Sequence, residues 1–197
     1  MTSPDLQERF EGCKAEDKLV AALLALVGEP MGATRIGEHL AAAGLPGFDV
    51  DASLARVREL ELTSMAAGRG TVLAPQAAWP AIKYAVDSRI LPLLRRAYQE
   101  CTPLRKNWQG FVVLRSYRQG LALLRMALFG RDAPREIASL LAACLECHEA
   151  AYLHPLVDIC AHPFEPELMD YIQPQLLDEV LTVVVNHVQR DPANAAA

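Results

Sequence analysis

The sequence predicts a mainly α-helical protein with one short β-hairpin in its N-terminal part. Apolar residues recur at i, i+3 and i+4 in most of the longer segments, as helices with one buried face require. Ala and Leu are abundant, and both favour helix. Only one pair of short runs has the strand–turn–strand pattern: residues 62–66 and 71–73, joined by Gly68-Arg69-Gly70, whose glycines tolerate positive φ. With 197 residues, 52% of them apolar, the chain can bury one substantial core or two small ones.

Residues 1–13 read as a polar lead-in in which Leu6 and Phe10, at i and i+4, could form a short docking helix. The first firm helix covers residues 16–27, where Leu19, Leu23 and Leu26 lie beside Val20, Leu24 and Val27 on a wide apolar face. Gly28 and Pro30 end it. A second helix over residues 33–43 repeats Ile36, Leu40 and Ala43, and a Gly/Pro turn (Gly44-Leu-Pro-Gly47) follows. The third helix, residues 51–62, has Asp51 as its expected N-cap. It turns Leu54, Val57 and Leu60 inward and leaves Arg56, Arg58 and Glu59 more exposed.

Helix, turn, helix, hairpin is the order of a winged helix. Residues 18–75 resemble winged-helix regulators of the MarR, GntR or ArsR kind: Thr34, Ile36, Gly37 and Leu40 look like the positioning helix, and residues 51–61 look like the recognition helix. The resemblance is one of pattern and covers about a third of the chain. It implies a winged-helix domain over residues 14–75. In that role Arg35, Ser53, Arg56 and Arg58 would reach bases or phosphates, with Arg69 at the hairpin tip reaching a minor groove or a phosphate. Asp49, Asp51, Glu59 and Glu61 crowd the same region and oppose phosphate attraction, so a structural or protein-binding winged helix is the competing reading.

Pro75 marks the expected boundary of a second, helical domain over residues 76–190, with residues 191–197 as a tail. Helices are expected at residues 76–86 and 88–101, the latter kinked or started by Pro92. The strongest is residues 111–129, with Val113, Tyr117, Leu121, Leu124 and Leu128 on one stripe and Arg115, Arg118 and Arg125 on its flank. Asp132 as N-cap and Pro134 in the first turn start the next, whose Ile137, Leu140, Leu141, Cys144 and Leu145 complete a helical hairpin. Further helices are expected at residues 154–161 and 174–189. The pairs resemble a TPR-like helical domain, without periodic sequence identity.

The formal net charge of −5 is unevenly spread. Residues 1–75 carry 7 basic and 11 acidic side chains, residues 76–130 carry 9 and 2, and residues 131–197 carry 3 and 11. The basic middle segment interleaves arginines with Tyr84, Tyr98, Trp108, Phe111 and Tyr117. Cations neutralise phosphates and aromatic rings stack on unpaired bases, so the composition suits nucleic acid. The alternative is that the rings are core and the arginines pair with the acidic C-terminal third.

Cys144-Leu-Glu-Cys147-His148 has the spelling of a haem attachment site, but the chain shows no export signal and the motif lies on a helical apolar stripe. Together with His154, Cys160 and His162 it supplies six candidate zinc ligands, against the reading of buried thiols and ordinary histidines. No hydrolase elbow, phosphate loop or metalloprotease helix occurs, so no enzymatic activity and no cofactor is expected. No apolar run approaches the roughly 20 residues of a membrane span, and a cytoplasmic location with reduced cysteines is expected. The function expected from these features is that of a DNA-binding regulatory or accessory protein using the winged helix and the basic segment, in which Arg115, Arg118 and Arg125 extend the phosphate footprint, with dimerisation through the last helix. The alternatives are a protein-interaction scaffold, or an accessory domain of a larger nucleic-acid-processing machine, with a structural winged helix.

Overall fold

The computed structural model describes residues 4–66, 70–147, 153–161 and 165–190. The protein is mainly helical with two small antiparallel sheets, and it divides into two compact units, Thr2–Pro103 and Leu104–Ala197. The units part at Pro103, not at Pro75, because the two helices after Pro75 complete the core of the first unit.

That core is built on α2 (Ala15–Val27), in which every residue from Val20 to Val27 is buried. Burial on all sides needs partners on all sides. α4 (Val50–Glu59), α5 (Pro75–Asp87) and the second strand of the hairpin supply them. α1 (Pro4–Glu11) docks on α5 through Phe10, whose ring meets Tyr84 edge-on at 6.1 Å. α3 (Ala33–Ala42) lies against α6 (Leu91–Cys101), which Pro92 starts. There the buried His39 ring sits 5.5 Å from Tyr98. Its Nδ1–H donates to the Arg35 carbonyl at 2.7 Å, while Nε2 is buried with no hydrogen-bond partner among the described residues. Burial holds this imidazole below its ordinary pKa.

Asp49, not Asp51, caps α4, its carboxylate accepting from Ala52 N–H at 3.0 Å. Asp51 already lies in the first turn of the helix. What ties α4 to α2 is Asp17, which is only 2% exposed. It accepts hydrogen bonds from Ser53 Oγ, from Arg56 Nε at 3.0 Å and from Arg56 Nη2 at 2.7 Å. Burial pushes this carboxyl up, but the hydrogen bonds from Arg56 and Ser53 and the guanidinium charge outweigh burial and hold it below the usual carboxylate range.

The hairpin pairs β1 (Thr63–Ala66) with β2 (Gly70–Leu73), Thr63 opposite Leu73 and Ala66 opposite Gly70. Met31, in the link between α2 and α3, adds a third line of pairing: it exchanges both backbone hydrogen bonds with Thr71 at 2.9 Å. Gly70 makes this possible. At φ 106°, a Cβ there would lie 2.5 Å from the Met31 carbonyl oxygen.

The second unit opens with a hairpin, β3 (Arg105–Lys106) and β4 (Val112–Val113), where a helix starting at residue 111 was expected. α7 begins only at Tyr117 and runs to Phe129. Ser116 caps it, accepting from Gln119 N–H at 3.2 Å, and Gln119 Oε1 reaches back past the cap to accept from Arg115 N–H at 2.7 Å. α8 (Pro134–Glu146) returns along α7, with Ala133 rather than Asp132 at its N-cap position. α9 (Pro155–Cys160), a 3₁₀ turn (Pro166–Tyr171) and α10 (Pro174–Arg190) complete the unit. Tyr117 ties α7 to the start of the α9 segment, its hydroxyl lying 2.8 Å from the Leu153 carbonyl and 3.2 Å from Asp158 Oδ2 in α9, either of which accepts its proton. Among the described residues no helix is long and apolar enough to cross a membrane.

Gly70→Ala forces a left-handed backbone on an L-residue against a backbone carbonyl, so it should destabilise the first unit by at least about 2 kcal/mol. A urea midpoint equal to that of the parent would show that Met31 does not pair with the hairpin.

Acid should weaken this unit in two steps. His39, held below its ordinary value, opposes folding once the pH falls under its unfolded pKa of about 6.5. Asp17, held low, contributes stability above its unfolded pKa of about 3.9 and loses it as the pH falls through the lower folded value. Asp17→Asn should therefore melt below the parent at neutral pH, with the gap closing below about pH 4. A gap independent of pH would mean that the carboxylate is not engaged.

Candidate nucleic-acid interface

The residues of the first unit expected to contact DNA are largely committed to the fold. Ser53 is fully buried against Asp17, so it is not available to a base. Arg56 turns inward to the same carboxylate and also pairs with Glu16 at 3.5 Å. Arg35 pairs with Glu29 at 2.6 Å. Of the four described candidates, only Arg58 stands in solvent, where its nearest polarisable partner is the Met65 sulfur at 3.4 Å. Arg69 lies outside the described residues. The exposed positions of α4 are Asp51, Ala55, Arg58 and Glu59, a surface with more negative than positive charge. Such a surface repels phosphate.

In the second unit the arrangement is reversed. From Leu104 to Arg131 the chain carries six basic side chains and no acidic one. Arg105, Lys106, Arg115, Arg118 and Arg131 are exposed, whereas Arg125 is half-buried. Arg125 sits near the Cys160 thiol, where its charge works against the effect of burial.

The β3–β4 hairpin adds aromatic groups to this basic stretch. Trp108 is 91% exposed, Phe111 62% and Val113 45%. The tip that displays them is tightly bonded: Asn107 Oδ1 accepts from the backbone N–H of Gln109 and of Phe111, both at 3.0 Å. Asn107 N–H donates to the Phe111 carbonyl at 3.0 Å, and Gly110 N–H to the Asn107 carbonyl at 2.9 Å. Gly110 supplies the positive φ of 86° that closes the turn. Of the aromatic residues in the basic segment, Tyr98 and Tyr117 are core, and Trp108 and Phe111 are surface.

Helix-like spacing hid this hairpin from sequence reasoning. Val113 and Tyr117 fall four apart and so extend the stripe of α7 by coincidence. The signal that could have found it is the Asn107-to-Gly110 turn between Arg-Lys and the β-branched Val112-Val113.

Between the hairpin and α8 lies a cleft of about 630 Å³. The hairpin side presents Lys106, Gln109, Phe111 and Val112, and α8 presents Arg135, Glu136, Ser139 and Glu146. The lining holds two cations and two carboxylates, so the cleft has no net formal charge. Its floor is apolar where Ala142 and Ala143 line it.

Of the six candidate zinc ligands, four lie among the described residues. Cys144 and Cys160 are buried and their thiols are pushed up to about 12, Cys144 by burial and by neighbouring Cys147, Cys160 by burial. Metal binding needs the thiolate, which these positions disfavour. Cys147 is half-buried, and His154 caps α9 by accepting from Leu156 N–H at 3.3 Å. His148 and His162 lie outside the described residues. Among the described residues no three His, Cys, Asp or Glu side chains converge on a point that could hold an ion.

In comparisons with known proteins, no family model, no curated protein and no solved structure matches this chain.

Proposed function

We propose that this protein is a nucleic-acid-binding accessory protein in which the second unit makes the contact and the first is a winged helix serving as structural support. The observation that carries the reading is the stretch Leu104–Arg131, with six cations, no carboxylate and an exposed Trp108. Phosphate neutralisation supplies most of non-specific affinity. Arg105, Arg115 and Arg118 are exposed and carry no ion pair among the described residues, so they bring that term without first breaking an internal bond.

The winged-helix reading of the first unit is supported by the element order α2, α3, α4, hairpin and by the single-residue Met31–Thr71 bridge, which pairs the segment before α3 with the hairpin. A regulatory role in which α4 reads a major groove has less support, since Ser53 and Arg56 serve Asp17 and the exposed face is acidic.

A protein-interaction scaffold is the second reading, and one feature favours it. Leu141, Leu145, Leu176 and Val180 line an apolar groove of about 230 Å³ in the second unit, of the kind that a partner's apolar side chains fill.

Fluorescence anisotropy with a labelled single strand and a mixed-sequence duplex, titrated over about 50–200 mM salt, tests the proposal. Binding should weaken steeply with salt. Arg115→Ala with Arg118→Ala should reduce the log–log salt slope by about 1 per side chain removed. Arg58→Ala should leave affinity unchanged. Loss of binding in the Arg58 variant would return the contact to α4, and no binding even at the lowest salt would overturn the proposal in favour of the scaffold.

A further inference from the structure

We propose that the β3–β4 hairpin is a receptor for unpaired bases, which makes single strands, rather than duplexes, the ligand of this protein. The inference rests on the nucleic-acid reading above and narrows it to a substrate class. It starts from Trp108. A ring 91% exposed contributes almost nothing to its own unit's core, yet the turn beneath it is fixed by four hydrogen bonds through Asn107 and Gly110. A flat aromatic face carried on a fixed backbone turn offers a base a surface for stacking, and every base offers a π-face in return. In a duplex those faces are already stacked on their neighbours and closed to the side chain.

The cleft behind the hairpin fits the same ligand. Its volume of about 630 Å³ falls in the range of small-molecule sites, roughly 300–1,000 Å³. Phe111 supplies an aromatic wall, while Gln109 and Ser139 offer both donors and acceptors to the edge of a base. With two cations against two carboxylates, the interior gives a phosphate no net attraction, whereas a neutral heterocycle loses little by entering. Arg105 and Arg115, exposed and outside the lining of the cleft, are available to the strand's phosphates. Charge thus separates the two halves of a nucleotide: backbone on the arginine surface, base on the aromatic one.

The test uses the full chain, an oligothymidylate single strand and a mixed-sequence duplex of equal length. Of the two tryptophans, Trp79 is 5% exposed and Trp108 is 91% exposed, so quenching of exposed emission on titration reports Trp108. The expected result is tighter binding of the single strand, quenching of Trp108 emission, and a loss of roughly 5- to 140-fold in single-strand affinity in Trp108→Ala. That range is a stacking contribution of about 1–3 kcal/mol expressed as a ratio. Trp108→Phe should recover most of it. Both variants sit at a solvent-exposed turn position and should fold as the parent does. Equal binding of both ligands, unchanged emission and no effect of Trp108→Ala would overturn base stacking while leaving phosphate binding standing. Binding of neither ligand would overturn both readings together.

Discussion

The first unit depends on one buried charge. Asp17 sits 2% exposed on α2, and a carboxylate so placed is tolerable only when its lone pairs are filled by donors and its charge is opposed. Ser53 and Arg56, one helical turn apart on α4, do both. The pairing fixes the rotation of α4 about its axis: with positions 53 and 56 turned to α2, positions 51, 55, 58 and 59 must face solvent. Everything later in the unit inherits that setting, because β1 follows α4 directly and β2 must return to Met31 and to α2.

The same setting decides what the unit can bind. An arginine on α4 has two incompatible uses, as counter-ion to a buried carboxylate or as a ligand for phosphate. Arg56 is held by two nitrogens in the first use, and releasing it would strand a desolvated Asp17. Arg58, two positions on, points the other way but stands beside Glu59. The net effect is a helix whose fold-stabilising charge is internal and whose outward charge is acidic, so affinity for an anionic partner must come from elsewhere in the chain.

Much of this architecture was legible in the sequence. The apolar faces of α2, α3 and α10, the hairpin around Gly70 and the initiation of α6 and α8 by proline all follow from periodicity and from turn chemistry. What escaped was of three kinds. Long-range polar pairing was invisible, because nothing local in Asp-Lys-Leu or in Ser-Leu-Ala-Arg says that Asp17 meets residues 53 and 56; Arg56 therefore read as free. Pairing through a single residue was also invisible, since Met31 forms its bridge with no strand pattern around it. The third was a clash of periods: Val113, Tyr117 and Leu121 keep helical spacing across a boundary where the backbone is first a strand and then a helix. Two β-branched residues after an Asn-to-Gly turn carried the correct answer locally, and the longer helical stripe outweighed it.

The exposure of Trp108 bears on function because the fold has no need of it. The hairpin's conformation is set by the Asn107 side chain and by Gly110, so the position between them could carry any residue without altering a hydrogen bond. An aromatic side chain of about 150–250 Å², at roughly 25 cal/mol per Å², would gain on the order of 4–6 kcal/mol if covered. Almost none of that is realised within its own unit. A rigid mount lowers the entropy lost when a ligand covers the ring, so most of the gain would go to affinity and little to ordering the loop. The exposed cations of the same stretch then restrict what can cover it: an uncharged apolar partner that also covered Arg105 would desolvate its charge without a counter-charge, whereas an anionic strand with free bases would satisfy the ring and the cation at once.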